Sequence, residues 1–132
     1  MNEKHIKLPP HFKDEKNFLT SNGYTTWNKL SRLSDNDINN IIKIVSLSKK
    51  NLVFIRGMAK LIVEINISED CAAMLLHVGV SSLDTLVLLK PDELLKRISR
   101  LDRQNGIWRK PILDIKKAKT LIKDAIKIKD AL

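Results

Sequence analysis

Gly23-Tyr24-Thr25-Thr26-Trp27-Asn28-Lys29-Leu30 is followed 56 residues later by Gly79-Val80-Ser81-Ser82-Leu83-Asp84-Thr85-Leu86. The two stretches share a glycine, a pair of hydroxyl residues and apolar residues in step. The correspondence runs on through Leu33/Leu89, Asp37/Glu93, Ile38/Leu94 and Ile42/Ile98. Self-similarity of this length marks one supersecondary unit used twice. Two copies are too few for a solenoid, so a compact domain with a pseudo-twofold internal repeat is expected.

Around this repeat nearly every segment has helical grammar. Phe12 to Asn22 is predicted as a helix ended by Gly23, a residue suited to the left-handed position after a helix. Thr25 or Thr26 can cap a short helix around Trp27 to Leu33. Ser34, with Asp37 three residues on, forms a capping-box-like start for Asp35 to Val45. Ser48 to Ile65 carries Leu52, Ile55, Ala59, Ile62 and Val63 at helical spacing. In the second copy Ser68 caps Glu69 to Val78, with two acids in the first turn where the helix dipole favours them. Gly79 ends that helix, and Ser81 with Asp84 is expected to cap Leu83 to Leu89. Pro91, Asp92 and Glu93 open a helix to about Arg103. Asn105-Gly106 breaks it, Pro111 restarts the chain, and a last helix is expected from about Ile112 to Ile128. Ile115, Ala118, Leu121, Ile122, Ala125 and Ile126 form its apolar face, with lysines opposite.

The chain of 132 residues is 43% apolar, enough for one sizeable core and one domain. The first repeat spans about residues 10–45, a connecting helix about 48–65, the second repeat about 66–104 and a basic C-terminal helix about 111–130. Cys71 is the single cysteine, which excludes an intrachain disulfide and fits a reducing compartment. Met1 to Phe12 lacks the apolar core of a signal peptide. No run nears the roughly 18 apolar residues of a membrane span. A soluble, cytoplasmic protein is expected.

Charge is unevenly spread. Residues 1–95 hold 12 Lys/Arg against 11 Asp/Glu and are almost neutral, whereas 96–129 hold 12 against 3, and Asp130 brings the sum back to the formal charge of +9. A concentrated basic stretch is the electrostatic footprint for nucleic acid, an anionic surface or an acidic partner. Composition offers a second source of lysine, because the abundance of Lys, Ile and Asn is that of an AT-rich genome.

The unit of apolar helix, glycine, apolar residue and two hydroxyl residues, followed by Pro91-Asp92-Glu93-Leu94, resembles a helix-hairpin-helix repeat. Ile65-Asn66-Ile67-Ser68-Glu69-Asp70-Cys71-Ala72 fits the frame apolar-Gly-apolar-Gly-x-x-x-Ala of that superfamily's hairpin. Arg56-Gly57-Met58-Ala59, Ala72-Ala73-Met74-Leu75-Leu76-His77-Val78-Gly79 and Arg100-Leu101-Asp102-Arg103-Gln104 resemble the domain-of-unknown-function 4332 family, a cyanobacterial and plastid group. The similarity covers about Leu8 to Ala125. It implies an all-α, tandem helix-hairpin-helix (SAM-like) fold and a photosynthetic host, and it carries no activity.

In DNA-binding hairpins two glycines let backbone N–H groups approach a phosphate beside a helix N-terminus. Asn66 and Ser68 replace both here. Asn66 can still adopt a positive φ, but Ser68 adds a side chain where close approach is needed. Glu69 and Asp70 set two carboxylates where the phosphate would sit, and their repulsion outweighs one or two backbone hydrogen bonds. Both residues are therefore read as structural caps.

Enzymatic constellations are missing from the sequence, and no cofactor or metal is expected. His5, His11 and His77 have no ligand spacing with Cys71 or with the acids. Cys71 is read as a packing residue, although a helix N-terminus can lower a thiol pKa. No P-loop, dinucleotide motif or nucleophile elbow occurs. Gly57 is read as a close helix contact.

Lys96, Arg97, Arg100 and Arg103 recur at helical spacing. Arg109 and Lys110 follow beside Trp108, then Lys116, Lys117, Lys119, Lys123 and Lys127 on the last helix. Arginine forks suit phosphates or carboxylates, and Trp108 either stacks on a base or covers the core. The arginines can instead pair internally with Asp92, Glu93 or Asp102, or bridge to a neighbouring helix end. Two functions remain open. One is a DNA- or RNA-binding module using this strip on the phosphate backbone. The other is an assembly adaptor whose helical groove takes an acidic protein partner.

Overall fold

The computed structural model describes residue 6, residues 8–105 and residues 114–132, with side chains outside 101–105. These residues form a 3-10 turn, Pro10–Phe12, and eight α-helices with no strand among them: α1 Lys13–Ser21, α2 Trp27–Ser31, α3 Asp35–Ile44, α4 Lys49–Ile65, α5 Glu69–His77, α6 Leu83–Val87, α7 Pro91–Asn105 and α8 Ile115–Asp130. The protein is all-α. The spacing of the sequence repeat carries straight into the backbone. Helices α1, α2 and α3 begin 56 residues before α5, α6 and α7 respectively, and the first two pairs also end in register.

The turns that join α1 to α2 and α5 to α6 are built alike. After α1, the Gly23 N–H donates to the Thr20 carbonyl at 3.3 Å and the Tyr24 N–H to the Leu19 carbonyl at 2.8 Å. After α5, the Gly79 N–H donates to Leu76 at 3.1 Å and the Val80 N–H to Leu75 at 2.8 Å. This is the paired hydrogen-bond pattern that closes a helix through a left-handed residue, and φ is +90° at Gly23 and +88° at Gly79. The next helix is capped at once. Thr26 Oγ1 accepts from the Lys29 N–H, and Ser82 Oγ from the Thr85 N–H. The second cap is thus Ser82 rather than Ser81, because the cap sits three residues before the amide it serves. Ser34 and Asp37 form the reciprocal box expected at the start of α3, both bonds at 3.0 Å.

Helix α4 organises the core. It packs on α2, α3, α5, α6 and α8, and buries Leu52, Ile55, Met58, Ala59, Leu61, Ile62 and Ile65. Burial on that scale is what stabilises a helix in a domain, since propensity alone leaves it marginal. Helix α8 packs on α6 and α7 as α4 packs on α2 and α3, so it takes in the second half the place α4 holds in the first. Its buried stripe is Ala118, Leu121, Ile122 and Ala125. Ile115 and Ile126, which the periodicity put on that stripe, lie on its margins at 44% and 42% exposure, and Val63 of α4 is likewise exposed at 40%. The neighbours of each helix cover a narrower arc than its apolar residues span. Trp27 and Leu83, the aligned pair from the repeat, are both buried.

Candidate nucleic-acid interface

The last helix sets the geometry of the basic surface. Asp114 caps it, its Oδ1 accepting from the Lys117 N–H at 2.7 Å, so α8 begins at Ile115 rather than Ile112. With Ala118, Leu121, Ile122 and Ala125 turned inward, helical periodicity sends Lys116, Lys119, Lys123 and Lys127 to the opposite side. All four are exposed, as is Lys117. From Lys116 to Lys127 the row extends about 16 Å at 1.5 Å per residue. Lys129, further along, is tied to Asp84 of α6 at 3.2 Å.

The arginine strip on α7 divides. Leu94 and Ile98 are buried, which leaves Lys96 and Arg100 exposed. Arg97 is half-buried and serves the fold. Its Nη1 donates to the Val78 carbonyl at the end of α5 at 3.3 Å, and its Nη2 stands 3.6 Å from Glu93 Oε1. A cation belongs at a helix C-terminus, where carbonyls are left over and the dipole is negative. Arg97 therefore bridges to a neighbouring helix end, the internal use open to it in the sequence. The Arg103 side chain, Trp108, Arg109 and Lys110 lie outside the described residues.

At the hairpin between α4 and α5, Asn66 adopts the left-handed conformation (φ 61°, ψ 53°), and its N–H donates to the Ile62 carbonyl at 2.9 Å. Ser68 Oγ accepts from the Cys71 N–H at 3.2 Å, so the amide a phosphate would seek is already satisfied by the protein itself. Glu69 and Asp70 follow in the first turn of α5. Asn66 and Ser68 both act as caps, as their sequence positions predict.

Cys71 is buried in the core, as a packing residue would be. Burial first, and then the neighbouring Asp70 carboxylate, push its thiol pKa up to about 11, so the helix N-terminus does not activate it. His77 is shifted the other way, its pKa held down by partial burial and by His11. Among the described residues no group of three or more His, Cys, Asp and Glu side chains could hold a metal ion, and no helix is long and apolar enough to cross a membrane.

A second feature escaped the sequence reading. The Pro10–Phe12 turn, α4 and α5 enclose a cleft of about 560 Å³. Phe54 stands at its centre, its ring 5.7 Å from Phe12 and 5.1 Å from His77. Gly57 lets α5 come close there, because a Cβ would lie 3.2 Å from Leu76 Cδ2. The signal was present as Lys50, Val53, Gly57 and Lys60, spaced i, i+3, i+7 and i+10 on one face of α4. It was masked by the stronger pattern of the same helix's buried residues.

The chain belongs to the family described as Domain of unknown function (DUF4332), whose profile matches residues 9–128. Neither a curated protein nor a solved structure matches the chain significantly.

Proposed function

We propose that this family member is a non-catalytic binding module that attaches to the phosphate backbone of nucleic acid through the lysine face of α8. Lys96 and Arg100 of α7, which packs on α8, are exposed as well and are included in the proposed contact. The observation that supports this reading most is the row Lys116, Lys119, Lys123 and Lys127, exposed together along one side of a helix whose other side is locked into the core. A rigid cationic row about 16 Å long spans roughly five nucleotide steps at 3.4 Å each. Lysine suits this task as a mobile point charge that needs no base-specific geometry.

The same reading treats the fold as a degenerate tandem helix-hairpin-helix domain. The left-handed Asn66 between α4 and α5 and the repeated Gly23 and Gly79 turns favour it. Its hairpin is not the contact point, since Ser68 occupies the Cys71 amide and two carboxylates follow. A lone buried cysteine suits a reducing cytoplasm. The resemblance of residues to a cyanobacterial and plastid group favours a photosynthetic host. An assembly adaptor is the second reading, and it rests on a different surface, the α4–α5 cleft.

Fluorescence anisotropy of labelled single- and double-stranded DNA and RNA tests the first reading. Each neutralised phosphate contact contributes about 0.9 to the slope of log K against log salt on duplex DNA, or roughly fivefold in affinity near 0.15 M. The Lys116→Ala/Lys123→Ala/Lys127→Ala variant is expected to lower that slope by nearly three and affinity by about a hundredfold. Equal binding by the variant and the native protein would rule out the α8 face.

A further inference from the structure

The cleft between the Pro10–Phe12 turn, α4 and α5 has a chemistry of its own, separate from the α8 lysines. Its floor is apolar, formed by Phe12, Phe54, Met58 and Leu76. Val53 stands on its wall with 40% of its surface exposed. Such exposed apolar surface beside aromatic rings is typical of recognition grooves. Gly57 keeps the floor continuous, because the bare Cα allows Leu76 to close over α4 without a gap.

The rim is cationic. Lys50 and Lys60 mark its two ends on α4, with Arg56 between them, and no carboxylate lines the cleft among the described residues. Two acids close to this wall are already engaged. Asp35 pairs with Arg56 at 2.6 Å, and Glu15 Oε1 accepts from Asn51 Nδ2 at 2.9 Å. Asp35, exposed at the start of α3, offsets Arg56 most and Lys60 less, so Lys50 and the remainder of the Lys60 charge set the positive potential over the cleft.

Lys50 and Lys60 are ten residues apart on one helix, hence about 15 Å. A small carboxylate reaches one of them, not both. An amphipathic helix of about ten residues reaches both while laying apolar side chains on Phe54 and Val53, in the manner of helix-in-groove recognition. From the continuous apolar floor and the cations placed one at each end, we infer that the cleft is a docking site for a partner protein's acidic amphipathic helix. The segment it fits carries acidic residues about ten positions apart, with apolar residues at three- and four-residue steps between them. Charge complementarity at the two ends sets its register, and the apolar contact supplies the burial. The site shares none of these residues with the α8 face, so it stands whether or not that face binds nucleic acid.

The test uses a fluorescein-labelled synthetic peptide of about 18 residues with leucines on one helical face and glutamates at the two flanking positions. A scrambled peptide of the same composition is the control. Anisotropy is read on the full chain and on two variants, Lys50→Glu/Lys60→Glu and Lys123→Glu/Lys127→Glu, each shown by circular dichroism to melt as the native protein does. Expected are binding of the patterned peptide at least tenfold tighter than of the scrambled one, and at least a tenfold loss in the Lys50/Lys60 variant alone. Val53→Glu, an exposed-wall change that leaves the rim lysines in place, should also weaken it. Equal binding of the two peptides, or a loss shared by the α8 variant, would mean bulk charge attraction and overturn the inference. Displacement of the peptide by duplex DNA from the native chain and the Lys123/Lys127 variant alike would assign the cleft to nucleic acid and overturn it too.

Discussion

Arg97 separates structural from interfacial charge, and replacing it gives a prediction with two readouts. Its guanidinium donates to the Val78 carbonyl at 3.3 Å and faces Glu93 at 3.6 Å, with 39% of the side chain exposed. A hydrogen bond of this length in a half-solvated setting is worth about 0.5–1 kcal/mol. The neighbouring i,i+4 ion pair adds about 0.3–0.5 kcal/mol. Arg97→Ala should therefore destabilise the fold by about 1–1.5 kcal/mol, a fall of very roughly 5 °C in melting temperature for a chain of this size. Urea unfolding followed by circular dichroism measures it, with an unchanged m-value. Arg100→Ala, at an exposed position on the same helix, should stay within about 0.5 kcal/mol of the native protein. In DNA binding the ranking reverses. A guanidinium turned to a helix end is not free for phosphate, so Arg97→Ala should cost less than the roughly fivefold expected for Lys123→Ala near 0.15 M salt. An Arg97→Ala protein of native stability whose affinity falls as far as that of Lys123→Ala would refute this division of the basic residues.

Substitutions at four further positions probe the fold and its cysteine. Gly23→Ala and Gly79→Ala place a Cβ at φ near +90°, and neither meets a close neighbour, so strain alone should cost each about 1 kcal/mol in urea unfolding. Unequal costs would contradict the matched turns. Asn66→Ala should lose a similar amount at its left-handed position, whereas Asn66→Gly should not. Cys71 should resist iodoacetamide at neutral pH until the protein is unfolded, with mass spectrometry counting the adduct. Because its folded pKa lies above its ordinary value of 9.0, the neutral thiol contributes stability below pH 9 that is lost as pH rises toward 11. Cys71→Ala should flatten that alkaline decline.

Much of this architecture was legible in the sequence because its punctuation is local. Gly23, Gly79, Ser34 and Ser68 act within three or four residues of themselves, so a one-dimensional pattern suffices to place them. The same pattern leaves Thr26 open against Thr25, and it starts α4 at Ser48, which is the cap before that helix. The choice between Ser81 and Ser82 failed by one residue, since two adjacent hydroxyls offer the same chemistry and only backbone direction selects one. The lysines of α8 were legible for the same reason as its core: one period fixes both faces. Arg97 was harder. Its partner, Val78, is 19 residues away and is a backbone carbonyl, which has no signature in the sequence. The cleft was harder still, because Phe12, Phe54 and His77 come from three separate segments that meet only after folding. Val63, Ile115 and Ile126 show the complementary limit, as periodicity gives the direction of a face but not the width its neighbours will cover.

Residue-resolved mapping of a DNA complex bears most directly on the proposed function. Amide chemical shifts of the labelled protein, recorded as a short duplex is titrated in at 0.15 M salt, identify the contacting surface without any substitution. The expected shifts concentrate on the exposed side of α8 from Lys116 to Lys127 and on Lys96 and Arg100, and leave Asn66 to Ala72 still. Shifts centred on the Asn66–Ala72 hairpin, or no shift anywhere, would contradict the account.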